Sequence, residues 1–188
     1  MPRLFTGIEL PDDVRAELAR LRQPLPGARW IEPENYHITL RFVGDVDNRM
    51  ATEFAHALSE IETRAFELQF CGTGAFGGND PRSIWARIEP SPELEALARA
   101  SERAARIVGL QPETRKFKPH VTIARLRNSH VDAVARYLQK FGGFRTRPFL
   151  VGRFTLFSSK PLVGGGPYVI EATYPLAGGE YAEYEDEY

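Results

Sequence analysis

The chain has little of what would build a cross-linked or membrane-anchored protein. It has one cysteine, Cys71, among 188 residues, which excludes an internal disulfide framework and a thiolate-rich zinc site. Cys71 reads as a buried structural thiol. No apolar run approaches the roughly 18 residues of a membrane-spanning helix. No apolar leader with a small-residue cleavage site precedes the first strand-like residues, so a cytoplasmic protein without membrane association is expected. No string of His, Cys, Asp or Glu has metal-ligand spacing, and no G-x-x-x-x-G-K-[ST] is present; neither metal nor cofactor is expected.

Neither sign of charge dominates, with 24 Lys and Arg against 25 Asp and Glu. The balance hides a gradient. Residues 178–188 carry five acids and no base, which leaves 24 basic against 20 acidic residues in the rest. That body is too weakly basic for a broad duplex-binding face, yet it suits a small phosphate pocket. The acidic end reads as a solvated, disordered tail. What the chain does have is aromatic surface. Its 12 Phe, 7 Tyr and 2 Trp are enough to offset the ordering entropy of a folded domain.

Residues 3–10 read as a buried strand. Pro11 with Asp12 and Asp13 opens a helix carrying Val14, Leu18 and Leu21. A loop to Asn35 leads into a strand over 37–43. Asp45 or Asp47 caps a helix with Met50, Phe54, Leu58 and Ile61 on one stripe. Residues 66–71 and 83–88 read as strands joined across a glycine-rich loop. Ser91-Pro92 starts a third helix, which Gly109 ends. Strands over 120–126, 154–158 and 168–174, a helix over 131–141 and a turn at Gly164-Gly165-Gly166 complete the chain. Strands this close together favour hairpins, hence an α+β fold with antiparallel or mixed sheets.

One motif occurs twice. His37-Ile38-Thr39-Leu40 and His120-Val121-Thr122-Ile123 share His-apolar-Thr-apolar and stand nearly half the chain apart. Alternation on a strand puts His37 and Thr39 on one face and Ile38 and Leu40 on the other, and it sorts the second motif the same way. Brought together by a pseudo-twofold, two imidazoles and two hydroxyls would line one cleft. Imidazoles titrate near neutrality, so one can take a proton from water while the other gives one to a departing oxygen. The hydroxyls can hold nonbridging phosphate oxygens. That is phosphoryl chemistry without a metal.

The paired motifs resemble the signature of the 2H phosphoesterase superfamily. Arg3-Leu4-Phe5, Glu9-Leu10-Pro11, Trp30, the run from Asn35 to Gly44, Phe117-Lys118-Pro119-His120 and Phe154-Thr155-Leu156-Phe157 are similar to its bacterial RNA 2′,3′-cyclic phosphodiesterase branch, historically called 2′-5′ RNA ligase. The resemblance runs from about Arg3 to Leu176. It implies a single bilobal domain over 1–177, with two pseudo-twofold-related lobes around a central groove and helices outside. It also implies hydrolysis of RNA 2′,3′-cyclic phosphate ends, or of small cyclic nucleotides, to 2′-phosphomonoesters by a monomer. His37 would be the proton donor, His120 the acceptor, and Thr39 and Thr122 the phosphate contacts. Ligation, or hydrolysis of another cyclic or 2′-5′ linked nucleotide, would use the same four side chains. A non-catalytic RNA-end binding module is the alternative of a different class.

Arg41 shares the His37 face if the strand is regular, and so is a candidate phosphate contact. Arg125 is out of phase with His120 unless a bulge turns it inward. Arg115, Lys116 and Lys118 form a basic cluster suited to attracting RNA. Phe5, Trp30, Tyr36 and Phe76 are candidates for stacking on a base, Phe5 and Phe76 foremost. Gly72-Thr73-Gly74-Ala75-Phe76-Gly77 fits the dinucleotide pattern G-x-G-x-x-G, but turn residues rather than a helix follow it, so a nicotinamide site is rejected. His56 and His130 read as surface histidines.

Overall fold

The computed structural model describes residues 2–159 and 166–179. In chain order its elements are β1 (Arg3–Glu9), α1 (Asp12–Ala19), β2 (Ala28–Trp30), β3 (His37–Asp45), α2 (Asn48–Ser59), β4 (Phe66–Leu68), β5 (Phe70–Phe76), β6 (Ser83–Ile88), α3 (Pro92–Ile107), β7 (His120–Leu126), α4 (Val131–Lys140), β8 (Phe149–Val151), β9 (Arg153–Ser159) and β10 (Tyr168–Pro175), with a 3₁₀ turn over Pro33–Asn35. Most of the expected tail, and Gly164 and Gly165 of the expected turn, lie outside the described residues. No helix among the described residues is long and apolar enough to cross a membrane.

Two four-stranded antiparallel sheets form, in the orders β10-β9-β1-β3 and β2-β7-β6-β5, beside a small β4-β8 pair. The first sheet is backed by α2 and α3. Thr6 on β1 meets Ser101 on α3 through a buried 2.7 Å hydroxyl pair, and the Tyr174 hydroxyl donates to the Ala55 carbonyl of α2 at 3.0 Å. The second sheet is backed by α1 and α4, where the Tyr137 hydroxyl donates to the Leu21 carbonyl at 2.7 Å. Helices thus do not always stay with the strands that precede them. β1 leads to a helix behind the other sheet, and so does β6.

Local chemistry explains the helix starts. Asp47 accepts from the Met50 amide at 2.7 Å, and Ser91 accepts from the Leu94 amide at 3.1 Å with Pro92 at the first helical position. Gly109, at φ +90°, follows the end of α3. His130 is exposed, and its ring accepts from the Asp132 amide as the α4 cap. The core fills from both sheets and all four helices. Phe54, Phe70 and Phe154 are fully buried in it, each stabilising by roughly 1.5–3 kcal/mol relative to exposure.

Four local expectations are corrected. The strand expected over 66–71 divides at Gln69. Its first part pairs with β8 and its second with β6, and Thr146 takes the hydrogen bonds at the break, accepting from Gln69 Nε2 at its carbonyl and from the Phe70 amide at its hydroxyl. The glycine stretch is strand as far as Phe76, and only the residues after it turn. Two three-residue strands, β2 and β8, occupy what reads as loop. Cys71 is half-buried rather than buried.

Candidate active site

β3 and β7 lie side by side, one from each sheet. Between the sheets runs a groove of about 890 Å³ whose lining includes His37, Thr39, His120 and Thr122. Ile38, Val121 and Ile123 are fully buried and Leu40 nearly so, so each strand sorts its side chains as alternation requires. The two motifs therefore meet across one cleft.

The imidazoles are held in the same way. His37 Nδ1 donates to the Asn35 carbonyl at 2.9 Å, and His120 Nδ1 donates to the Lys118 carbonyl at 2.5 Å. A carbonyl only accepts, so in the neutral ring Nδ1 carries the proton and Nε2 carries the lone pair. His37 Nε2 lies 3.1 Å from the Thr39 hydroxyl. Aromatic rings wall both histidines. Phe5 and Tyr168 stand 4.8 Å from the His37 ring centre, with Phe157 at 5.8 Å; Phe76 and Trp85 stand 5.1 and 5.8 Å from His120. Glycines make room for two of these rings. A Cβ on Gly74 would stand 2.3 Å from the Trp85 ring, and one on Gly7 would stand 3.2 Å from Phe157 and 2.6 Å from the Ile38 carbonyl.

This setting disfavours charge on either ring. Burial lowers the His37 pKa to about 4, helped by the nearby charges of His120 and Arg125 and opposed by the Asn35 carbonyl. Burial also lowers that of His120, with Arg125 again contributing and the Lys118 carbonyl opposing. Both imidazoles are therefore mainly neutral near pH 7.

The two candidate arginines differ because each motif ends in a bulge. Gly7 faces Thr39 while Thr6 faces Arg41, so Leu40 has no partner of its own on β1. Trp85 faces Thr122 while Ile84 faces Ala124, which leaves Ile123 equally unmatched on β6. The extra residue reverses the alternation beyond it. Arg41, expected on the His37 face, borders the groove but turns its guanidinium away. It is 8% exposed; Nε binds Glu102 Oε2 at 2.5 Å, and its other nitrogens donate to the Phe42 and Gln111 carbonyls. Arg125 is turned onto the groove side, is exposed, and makes no salt bridge among the described residues.

The remaining candidates divide cleanly. Phe5 and Phe76 line the groove, as do Arg115, Lys116 and Lys118, and Lys118 Nζ stands 5.8 Å from the Phe76 ring centre. Tyr36 is buried, and Trp30 packs against Tyr137 at 5.9 Å; neither faces the groove. His56 is exposed on α2. Sequence reasoning missed Tyr168 as a groove wall, Trp85 as a ring packed against His120, and Asn35 and Lys118 as main-chain anchors. Their position two residues before each histidine is the signal that points to the anchors.

The model of the LigT like Phosphoesterase family matches residues 8–85 and 88–168. An Aquifex aeolicus protein named RNA 2′,3′-cyclic phosphodiesterase is 30% identical over 184 residues, spanning 94% of this chain and 98% of its own. One of the same name from Archaeoglobus fulgidus is 29% identical over 168 residues, spanning 85% and 95%. Among solved structures, Escherichia coli LigT complexed with 3′-AMP superposes with a TM-score of 0.75 at 24% identity, covering 94% of this chain and 99% of that one. The Thermus thermophilus protein TT0787 gives 0.78 at 23%, covering 94% and 98%. These last two speak for the fold: four helices around antiparallel sheets, in a LigT-type arrangement. With both motifs in one groove and the family match running along most of its length, the chain belongs to the LigT-like phosphoesterases.

Proposed function

We propose that the protein hydrolyses RNA 2′,3′-cyclic phosphate ends to 2′-phosphomonoesters, with His120 as base and His37 as acid. The observation that carries this is the matched anchoring of the two imidazoles, each fixed by a main-chain carbonyl so that Nε2 is left for proton transfer in one groove. Relatives spanning nearly the whole chain bear the name of this activity.

The step balances on these residues. Water attacks phosphorus as His120 Nε2 takes its proton. The bond from phosphorus to O3′ breaks, and O3′ receives the proton on His37 Nε2. The product keeps phosphate on O2′ and a free 3′ hydroxyl. Thr39 and Thr122 donate to the nonbridging oxygens, where charge grows in the transition state, and Arg125 neutralises the phosphate. His37 must be charged to act. An anionic phosphate beside its ring favours the imidazolium and offsets the burial that lowers its pKa.

The test is to incubate the protein, with EDTA present, with an oligoribonucleotide ending in a 2′,3′-cyclic phosphate and to identify the phosphate isomer. A 2′-phosphate that His37→Ala and His120→Ala no longer form supports the reading. A 3′-phosphate reverses the leaving group. Full activity in either variant overturns the two-histidine mechanism.

A further inference from the structure

The two sheets can be matched position by position around their bulges, and between the strands that face the two motifs, β1 and β6, the match changes charge at one place. Glu9 on β1 stands opposite His37, and Arg87 on β6 stands opposite His120. Glu9 is tied off, accepting from the Thr155 hydroxyl at 2.9 Å and lying 3.6 Å from Arg153. Arg87 is exposed and makes no salt bridge among the described residues.

The register between Trp85 and Arg87 is regular, so Arg87 shares the face on which Trp85 meets the His120 ring. Directly opposed residues on antiparallel strands stand about 4.5–5.5 Å apart at Cα. A guanidinium on a flexible stem from that position lies within reach of a group bound next to the phosphate that His120 serves. The residue opposite His37 is therefore a neutralised acid, and the residue opposite His120 is an exposed cation just outside the groove lining. A polyanion that extends beyond the groove is drawn to the His120 side.

We propose that Arg87 binds the phosphodiester on the 5′ side of the cyclic phosphate, so that the enzyme takes oligonucleotide ends in preference to cyclic mononucleotides. The proposal rests on the phosphodiesterase reading above and adds a second phosphate subsite to it. Arg suits the task, because its fork of N–H donors pairs with two phosphate oxygens at once.

The test has a kinetic and a binding arm. Kinetically, kcat/KM is compared for a 2′,3′-cyclic mononucleotide and for a dinucleotide of the same terminal base ending in a 2′,3′-cyclic phosphate. The wild type is expected to favour the dinucleotide about tenfold. Arg87→Gln is expected to remove that advantage and to flatten the salt dependence for the dinucleotide by about 0.7 in the logarithmic slope. Arg87→Lys should recover part of it. An equal loss on both substrates, or an advantage that survives Arg87→Gln but falls with Lys116→Gln, overturns the assignment. In the binding arm, calorimetry compares the 2′-phosphorylated dinucleotide and mononucleotide against His120→Ala with and without Arg87→Gln. Should the wild type turn over neither cyclic substrate, the phosphodiesterase reading fails by itself. Arg87 is then judged by whether its removal weakens only the dinucleotide, about tenfold, and unchanged dinucleotide affinity overturns it.

Discussion

Arg41 donates from Nε to Glu102 Oε2 across 2.5 Å, joining β3 to α3 beneath the groove. Burial works against the Glu102 carboxylate, but hydrogen bonds from Arg106, Arg41 and the Glu113 amide hold its pKa below the ordinary range. The pair is structural. Arg41→Ala leaves the partly exposed Glu102 with Arg106 and the Glu113 amide but removes one charge-assisted bond and the donors to the Phe42 and Gln111 carbonyls, and about 1–3 kcal/mol of stability should be lost. At roughly 2–4 °C per kcal/mol for a chain of this size, thermal unfolding followed by circular dichroism should move down by about 5 °C. A folded-state value below the ordinary one means that the Glu102 contribution is complete above the ordinary carboxylate range and is lost as pH falls through the lower folded value. The gap between wild type and variant should narrow accordingly in acid.

That pair marks the limit of what the sequence could reveal. Alternation sufficed to aim His37, Thr39, His120 and Thr122, because those residues precede the irregularity. It failed at Arg41 and left Arg125 open, because the bulges at Leu40 and Ile123 have no composition of their own; they exist only in the pairing with β1 and β6. Strands β2 and β8 were illegible for a related reason. Three residues show no periodicity, and their partners settle their state. Helix starts were legible because their signals are local, as at Asp47 and Ser91.

The lowered histidine values set a pH profile. kcat/KM reports the free enzyme, in which both imidazoles titrate below the usual 6.5, His37 near 4. Its optimum should therefore lie below 6.5, with a decline toward neutral pH. kcat reports the complex, where phosphate favours the imidazolium, so its optimum should lie higher. Initial rates across pH 4–9 check both, and a kcat/KM maximum above pH 7 contradicts the burial argument.

Arg125 lowers both histidine values through its charge. Arg125→Gln should shift the kcat/KM optimum to higher pH and raise KM about tenfold through the lost charge-assisted contact. A higher KM with an unmoved profile would leave Arg125 a phosphate ligand with no hold on the acid and base.

Gly74 has no Cβ because the Trp85 ring covers it. Gly74→Ala should displace that ring, destabilise the fold by about 1–3 kcal/mol and change tryptophan emission. Trp85 also walls His120, so the folded variant should lose activity as well. Paired fluorescence and rate measurements separate the two effects.

Each threonine should matter to the transition state more than to binding. Thr39→Val and Thr122→Val are expected to lower kcat by about 10²-fold with little change in KM, the mark of donors that act on developing charge. A KM effect alone would make them ground-state contacts.

The crossing of the chain between the two sheets has a practical reading. A cut in the turn after Phe76 would leave β1, β2, β3 and β5 on one piece and β6, β7, β9 and β10 on the other. Neither piece owns a finished sheet, and each owns one of the two groove histidines, His37 or His120. Both sheets would be completed only when the two fragments meet, so activity recovered from a mixture of them would report that the halves had been brought within reach of each other.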